Sequence, residues 1–133
     1  MNFRSLVLSI VLGFGLIACT HRTPVAPQNM VPLAATLPSI QANIFTPKCV
    51  NAGCHPGGGA PMSLADGLSY ANLVGVVSPA YSMQRVQPGN AMRSVLYQKV
   101  MNRLGAVMPP NGKLTQAETD TIAAWINRGA LKN

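Results

Sequence analysis

Hydrophobic positions fall into three regimes along the chain. Residues 6–18 form an unbroken run of apolar and small side chains behind the short basic head Asn2-Phe3-Arg4-Ser5. At 13 residues the run is shorter than the roughly 20 that cross a bilayer as a helix. Basic head, short apolar run and the small Ala18 at its break read as an export signal, so residues 1–18 are expected to be a leader. Between Thr20 and Pro38 no helical or strand period survives, and Pro24, Pro27, Pro32 and Pro38 punctuate the chain. Residues 19–36 therefore predict a semi-extended tether, rising about 3 Å per residue where it is polyproline-like. His21 lies in this tether and reads as a solvated side chain.

From Leu37 to Asn133 the pattern becomes helical. Residues 39–45 carry Ile40, Ile44 and Phe45 at i, i+4, i+5, and this helix is expected to stop at Thr46-Pro47, because a residue before proline avoids the helical region. Residues 65–74 carry Leu68, Ala71 and Leu73 and run to Gly75. Residues 92–103 place Met92, Leu96 and Val100 at i, i+4 spacing, with Asn90 as cap and Leu104-Gly105 as stop. The last helix has the sharpest ends. Thr115 and Glu118 form a capping box, Ile122, Trp125 and Ile126 form one apolar stripe, and Gly129 terminates it. The only strand-like composition is residues 73–77, "LVGVV", which is short. The expected fold class is all-α: one domain over residues 37–133, of about four short helices joined by long Gly- and Pro-rich loops.

Composition exposes a gap in this picture. Aromatic residues make up only 5% of the chain, and the helices are short. A domain of this size is marginal unless a disulfide, a metal or another core filler supplements its packing. The candidate filler lies at "CVNAGCH", residues 49–55. A c-type haem site reads Cys-x-x-Cys-His. Here Cys54 follows Cys49 by five residues, which on an ideal α-helix leaves it roughly 140° away around the axis. A regular helix cannot bring both thiols to one ring edge, so residues 51–53 are expected to form a non-helical bulge. Asn51 and Gly53 are residue types that tolerate such a turn. The "PGGGAP" that follows His55 cannot continue a helix and lets backbone approach a flat cofactor.

Three cysteines in an exported chain leave one thiol over. "LIAC", residues 16–19, resembles the lipobox of bacterial lipoproteins. That resemblance implies cleavage before Cys19 and lipidation of Cys19, with several acyl chains giving a firm anchor. Thr20 in the following position implies the outer rather than the inner membrane if the source is Gram-negative. Cys49 and Cys54 then remain as a pair in an oxidising compartment, open to three outcomes: a disulfide, metal ligation, or thioethers to a cofactor. A zinc site needs four ligands, and only Cys49, Cys54, His55 and the distant His21 offer nitrogen or sulfur.

The stretches "IFTPKCVNAGCHPGGGAPMSL", "YANLVGV", "RVQPGN" and "MPPNGKLTQAETDTIAAWINRGA" together resemble small, exported, mono-haem c-type cytochrome domains of the class I-like group. Some of its members carry stretched attachment sites. The resemblance implies one covalent haem c, attached through Cys49 and Cys54, with His55 as proximal and Met108 as distal iron ligand. Pro109 and Pro110 suit that role by holding Met108 out of any helix. Met62 and Met83 are the competing loop methionines; Met92 and Met101 read as core. Trp125 is expected to pack the last helix, with the haem edge as its alternative. Arg85 is read as a surface residue that could reach a haem propionate.

Lys and Arg number ten against three Asp and Glu, a formal charge of +7. The excess would steer encounter with an acidic redox partner protein. The basic residues are scattered in an exported chain, which argues against nucleic acid. The expected function is electron transfer rather than enzymatic chemistry, in the cell envelope facing the periplasm. Two rivals stand beside it: a haem enzyme or gas sensor with an open distal position, and a haem-free lipoprotein stapled by Cys49 and Cys54.

Overall fold

The computed structural model describes residues 33–50, 54–56 and 61–133. The leader, Cys19, most of the tether and the expected bulge at residues 51–53 lie outside the described residues. Among the described residues there are four α-helices: α1, Leu37–Ile40; α2, Ser69–Leu73; α3, Val95–Val100; and α4, Gln116–Asn127. Among the described residues there are no strands, only two isolated bridges, Val74 with Val86 and Val77 with Gln84. The strand-like "LVGVV" supplies one side of each. No described helix is long and apolar enough to cross a membrane.

The first helix differs from its sequence pattern. Instead of stopping before Pro47, α1 widens into π-helical turns over Gln41–Val50, with Pro47 inside them. An α-helix would set the proline ring against the carbonyl four residues back; the wider i→i+5 ladder changes that alignment. Buried Gln41 anchors the start of the wide segment. Its Nε2 donates to the Leu64 carbonyl (2.9 Å) and Thr46 Oγ1 (3.1 Å), and its Oε1 accepts from Ser69 Oγ (2.7 Å). The consequence is that helical backbone runs up to Cys49 itself.

The second and third helices are shorter than their hydrophobic stripes. Gly67 adopts a left-handed φ of 77°, and the N–H groups of Leu68 and Ser69 both donate to the Ala65 carbonyl, so residues 65–68 turn rather than coil. Leu68 is consequently exposed while Leu73 is fully buried. Asn90 does cap, accepting from the Arg93 N–H at 3.0 Å, but the turn it caps is a 3-10 turn, Ala91–Arg93. Ser94 then breaks the helix: its backbone is extended, and its hydroxyl donates to the Asn90 carbonyl (2.8 Å) and accepts from the Gln87 N–H (2.8 Å). The break leaves Met92 exposed, not in the core. The first N–H groups of α3 donate to the carbonyls of Gln84 and Arg85 (3.0 and 2.9 Å), which pins that segment across the helix end. Asn102, at φ 55°, ends α3 earlier than the expected Gly105.

Helix α4 follows its sequence signals closely. Thr115 accepts from the Glu118 N–H while Glu118 accepts from the Thr115 N–H, a complete capping box. Ile122, Trp125 and Ile126 are buried, and Gly129 at φ 100° closes the helix. This stripe packs on α1 and α3. The core joins it to Ile40, Ile44, Phe45, Leu64, Leu73, Val86 and Leu96. Trp125 Nε1 donates to the Leu131 carbonyl (2.9 Å), which fastens the chain end under α4.

Candidate functional site

One side of the core is open. Beyond Ile44, Phe45, Leu96 and Ile122 lies an open cleft. Its walls are mostly apolar. They come from the end of the π-helical segment, the residues around His55 and Met62, the 78–81 loop, α3, and the 108–114 segment. Cys49, Cys54, His55 and Met108 all line it. Residues distant in sequence therefore converge on a single apolar space. Clefts of this kind, apolar with few polar groups, are the usual form of a cofactor site.

His55 is fixed from three directions. Its N–H donates to the Cys49 carbonyl (3.0 Å), and its carbonyl accepts from the Leu64 N–H (2.9 Å). Its ring Nδ1 lies 3.1 Å from the Met62 carbonyl oxygen. A carbonyl only accepts, so Nδ1 donates in this contact, and in the neutral ring Nε2 is the nitrogen that bears the lone pair. That is the arrangement of a metal-ligating histidine with an oriented ring.

Cys49 and Cys54 are both present as thiols. Cys49 Sγ donates to the Ile44 carbonyl (3.8 Å). Burial pushes the Cys49 thiol up to about 11; the neighbouring Cys54 adds to the rise and Lys48 opposes it. At neutral pH Cys49 presents S–H rather than thiolate, the opposite of what nucleophilic catalysis requires. Among the described residues, no group of three or more His, Cys, Asp or Glu could hold a metal ion.

Met108 enters from the loop after α3. Its N–H donates to the Lys99 carbonyl (3.2 Å), and its peptide bond to Pro109 is cis. Of its competitors, Met62 also lines the cleft, but its carbonyl is the one that holds the His55 ring. Met83 lies elsewhere, beside Val77 and Arg93. Met101 packs against the core.

Among the described residues, Lys48, Arg85 and Lys99 line the cleft, and no Asp or Glu does. Lys48 Nζ pairs with Glu118 Oε1 at 2.5 Å. Burial would raise the Glu118 carboxyl, but hydrogen bonds from Lys48 and Thr115 outweigh it and hold the group below its usual value. Arg85 is half-buried, not a free surface residue: Nη1 donates to the Asn72 carbonyl (2.9 Å) and Nη2 to the Pro61 carbonyl (3.3 Å). Trp125 belongs to the core, packing the last helix as expected.

The sequence pattern does not reveal Lys48, Tyr81 or Lys99 as cleft residues. Lys48 has a signal only in standing next to Cys49. Tyr81 and Lys99 have none, because the fold alone brings their loops together. In comparisons with known proteins, no family model, curated protein or solved structure matches this chain.

Proposed function

We propose that this chain is a lipid-anchored electron carrier, a small mono-haem c-type cytochrome of the class I-like kind. Cys49 and Cys54 would hold haem c through thioethers, with His55 and Met108 as iron ligands. The observation that carries this reading is the convergence of two thiols, one oriented imidazole and one loop thioether on a single apolar cleft. When bound, the haem supplies a one-electron iron couple.

The chain's own residues perform the remaining tasks. The Met62 carbonyl orients His55 and leaves Nε2 available. Apolar walls from Ile44, Phe45, Leu96 and Ile122 would keep water from a seated haem, and a thioether ligand in such surroundings raises the potential. Arg85 and Lys99 bring positive charge to the same cleft, which would balance the carboxylates of haem. Cys19 would tie the protein to the cell envelope through its lipid, facing the periplasm, with the proline-rich tether as spacer. The excess of basic residues favours an acidic redox partner.

The experiment is a pair of substitutions in protein made together with cytochrome maturation machinery. Met108→Leu is expected to abolish the sulfur-to-iron charge-transfer band of the oxidised protein and to open the reduced iron to carbon monoxide. Met62→Leu is expected to leave the band intact. A wild-type spectrum without the band, with ready carbon monoxide binding, would overturn the carrier reading in favour of a sensor or enzyme.

A further inference from the structure

Met108 sits on a loop whose own packing is thin: residues 105 and 106 are exposed and Met108 is only half-buried. What restrains it is Lys99, at both ends of that residue. The Lys99 carbonyl accepts the Met108 N–H (3.2 Å), and Lys99 Nζ donates to the Ala106 carbonyl (3.3 Å). The same ammonium lies over the Tyr81 ring, 4.9 Å from its centroid. Tyr81 belongs to the 78–81 loop, another wall of the cleft.

Gly105 completes the contact. Its φ of 58° lies in the left-handed region, and a Cβ there would stand 3.0 Å from the Tyr81 hydroxyl and 3.3 Å from Lys99 Nζ. Backbone, ammonium and phenol thus meet at one spot just before Met108.

We infer that Lys99, stacked on Tyr81, is a positioning residue that clamps the 105–108 turn and holds the Met108 sulfur in the cleft against competing ligands. This rests on the haem reading above. Lys99 acts through the loop, by its bonds to Met108 and Ala106. An ammonium-to-carbonyl hydrogen bond and a cation–π contact at a partly exposed site together make a modest clamp, enough to shift a loop-opening equilibrium by about tenfold. A competing ligand gains affinity in proportion to the open population.

The test uses the oxidised holoprotein and imidazole as the competing ligand. Lys99→Met keeps the aliphatic stem and removes the ammonium. It should tighten imidazole binding about tenfold and speed amide hydrogen exchange across residues 106–108 by a similar factor, with α4 amides unchanged. Lys99→Arg should restore both readouts, and Tyr81→Leu should reproduce much of the Lys99→Met effect if that variant fails to fold. Unchanged imidazole affinity and exchange in Lys99→Met, with haem and the sulfur–iron band intact in the wild type, overturns the clamp alone. A wild type with haem but no such band overturns the Met108 assignment and the clamp. A wild type without covalent haem overturns the haem reading and the clamp together.

Discussion

Glu118 performs two tasks at the edge of the cleft. It caps α4 through Thr115 and it pairs with Lys48, the residue next to Cys49. Because these bonds depress its folded pKa below the 4.5 of a free carboxyl, the stability it contributes is present above that value and is lost as pH falls through the folded pKa. Glu118→Gln should therefore be less stable than wild type at pH 7, with the difference shrinking below about pH 4.5. Denaturant unfolding across that range measures it; a difference that stays constant down to pH 3 would rule out the carboxylate pair as the cause. The capping half of this role was legible from Thr115 and Glu118 alone. The Lys48 half was not, since nothing in the spacing of Lys48 and Glu118 signals a contact. His55 shows a similar division. Its proposed role as an iron ligand rests on its place after Cys54, but its ring partner, the Met62 carbonyl, is a backbone atom that side-chain patterns do not encode.

At the scale of elements, local chemistry predicted ends better than lengths. The α4 stripe, box and glycine stop all appear as read, because each is a short-range signal. The cap should carry measurable weight: Thr115→Ala is expected to cost about 1 kcal/mol, lowering the midpoint by about 4–8 °C for a domain of this size. A thermal melt of the holoprotein checks it, and an unchanged midpoint would mean the Glu118–Lys48 pair alone fixes the helix start. The first helix shows where pattern reasoning fails. Pro47 is a stop signal for an α-helix, yet the chain continues in π-helical turns to Val50. Tertiary bonds from Gln41 to Leu64 and Ser69 support the departure, and those partners lie more than twenty residues away. Similarly, the stripe through Met92 is broken by Ser94, whose hydroxyl bonds Gln87 and Asn90.

On the scale of the whole molecule, the helical class was readable, because periods of 3.6 residues dominate the 37–133 region. The open cleft was readable only as a shortage of large side chains in a small domain. An apolar cleft against the core is costly when it faces water, and a flat apolar group would remove that cost. Replacing both Cys49 and Cys54 by Ala should consequently leave a haem-free chain that loses cooperative unfolding. Calorimetry distinguishes this from the alternative, a sharp transition matching that of the wild type, which would show that the helices alone sustain the fold.

The central claim is that the thiols at Cys49 and Cys54 carry haem despite the four residues between them. The most direct measurement is a pyridine haemochrome assay with intact mass, on protein produced alongside cytochrome maturation machinery. One covalently bound haem per chain, lost when both cysteines are replaced, is the predicted result. A chain without haem whose two cysteines titrate as a disulfide would contradict it.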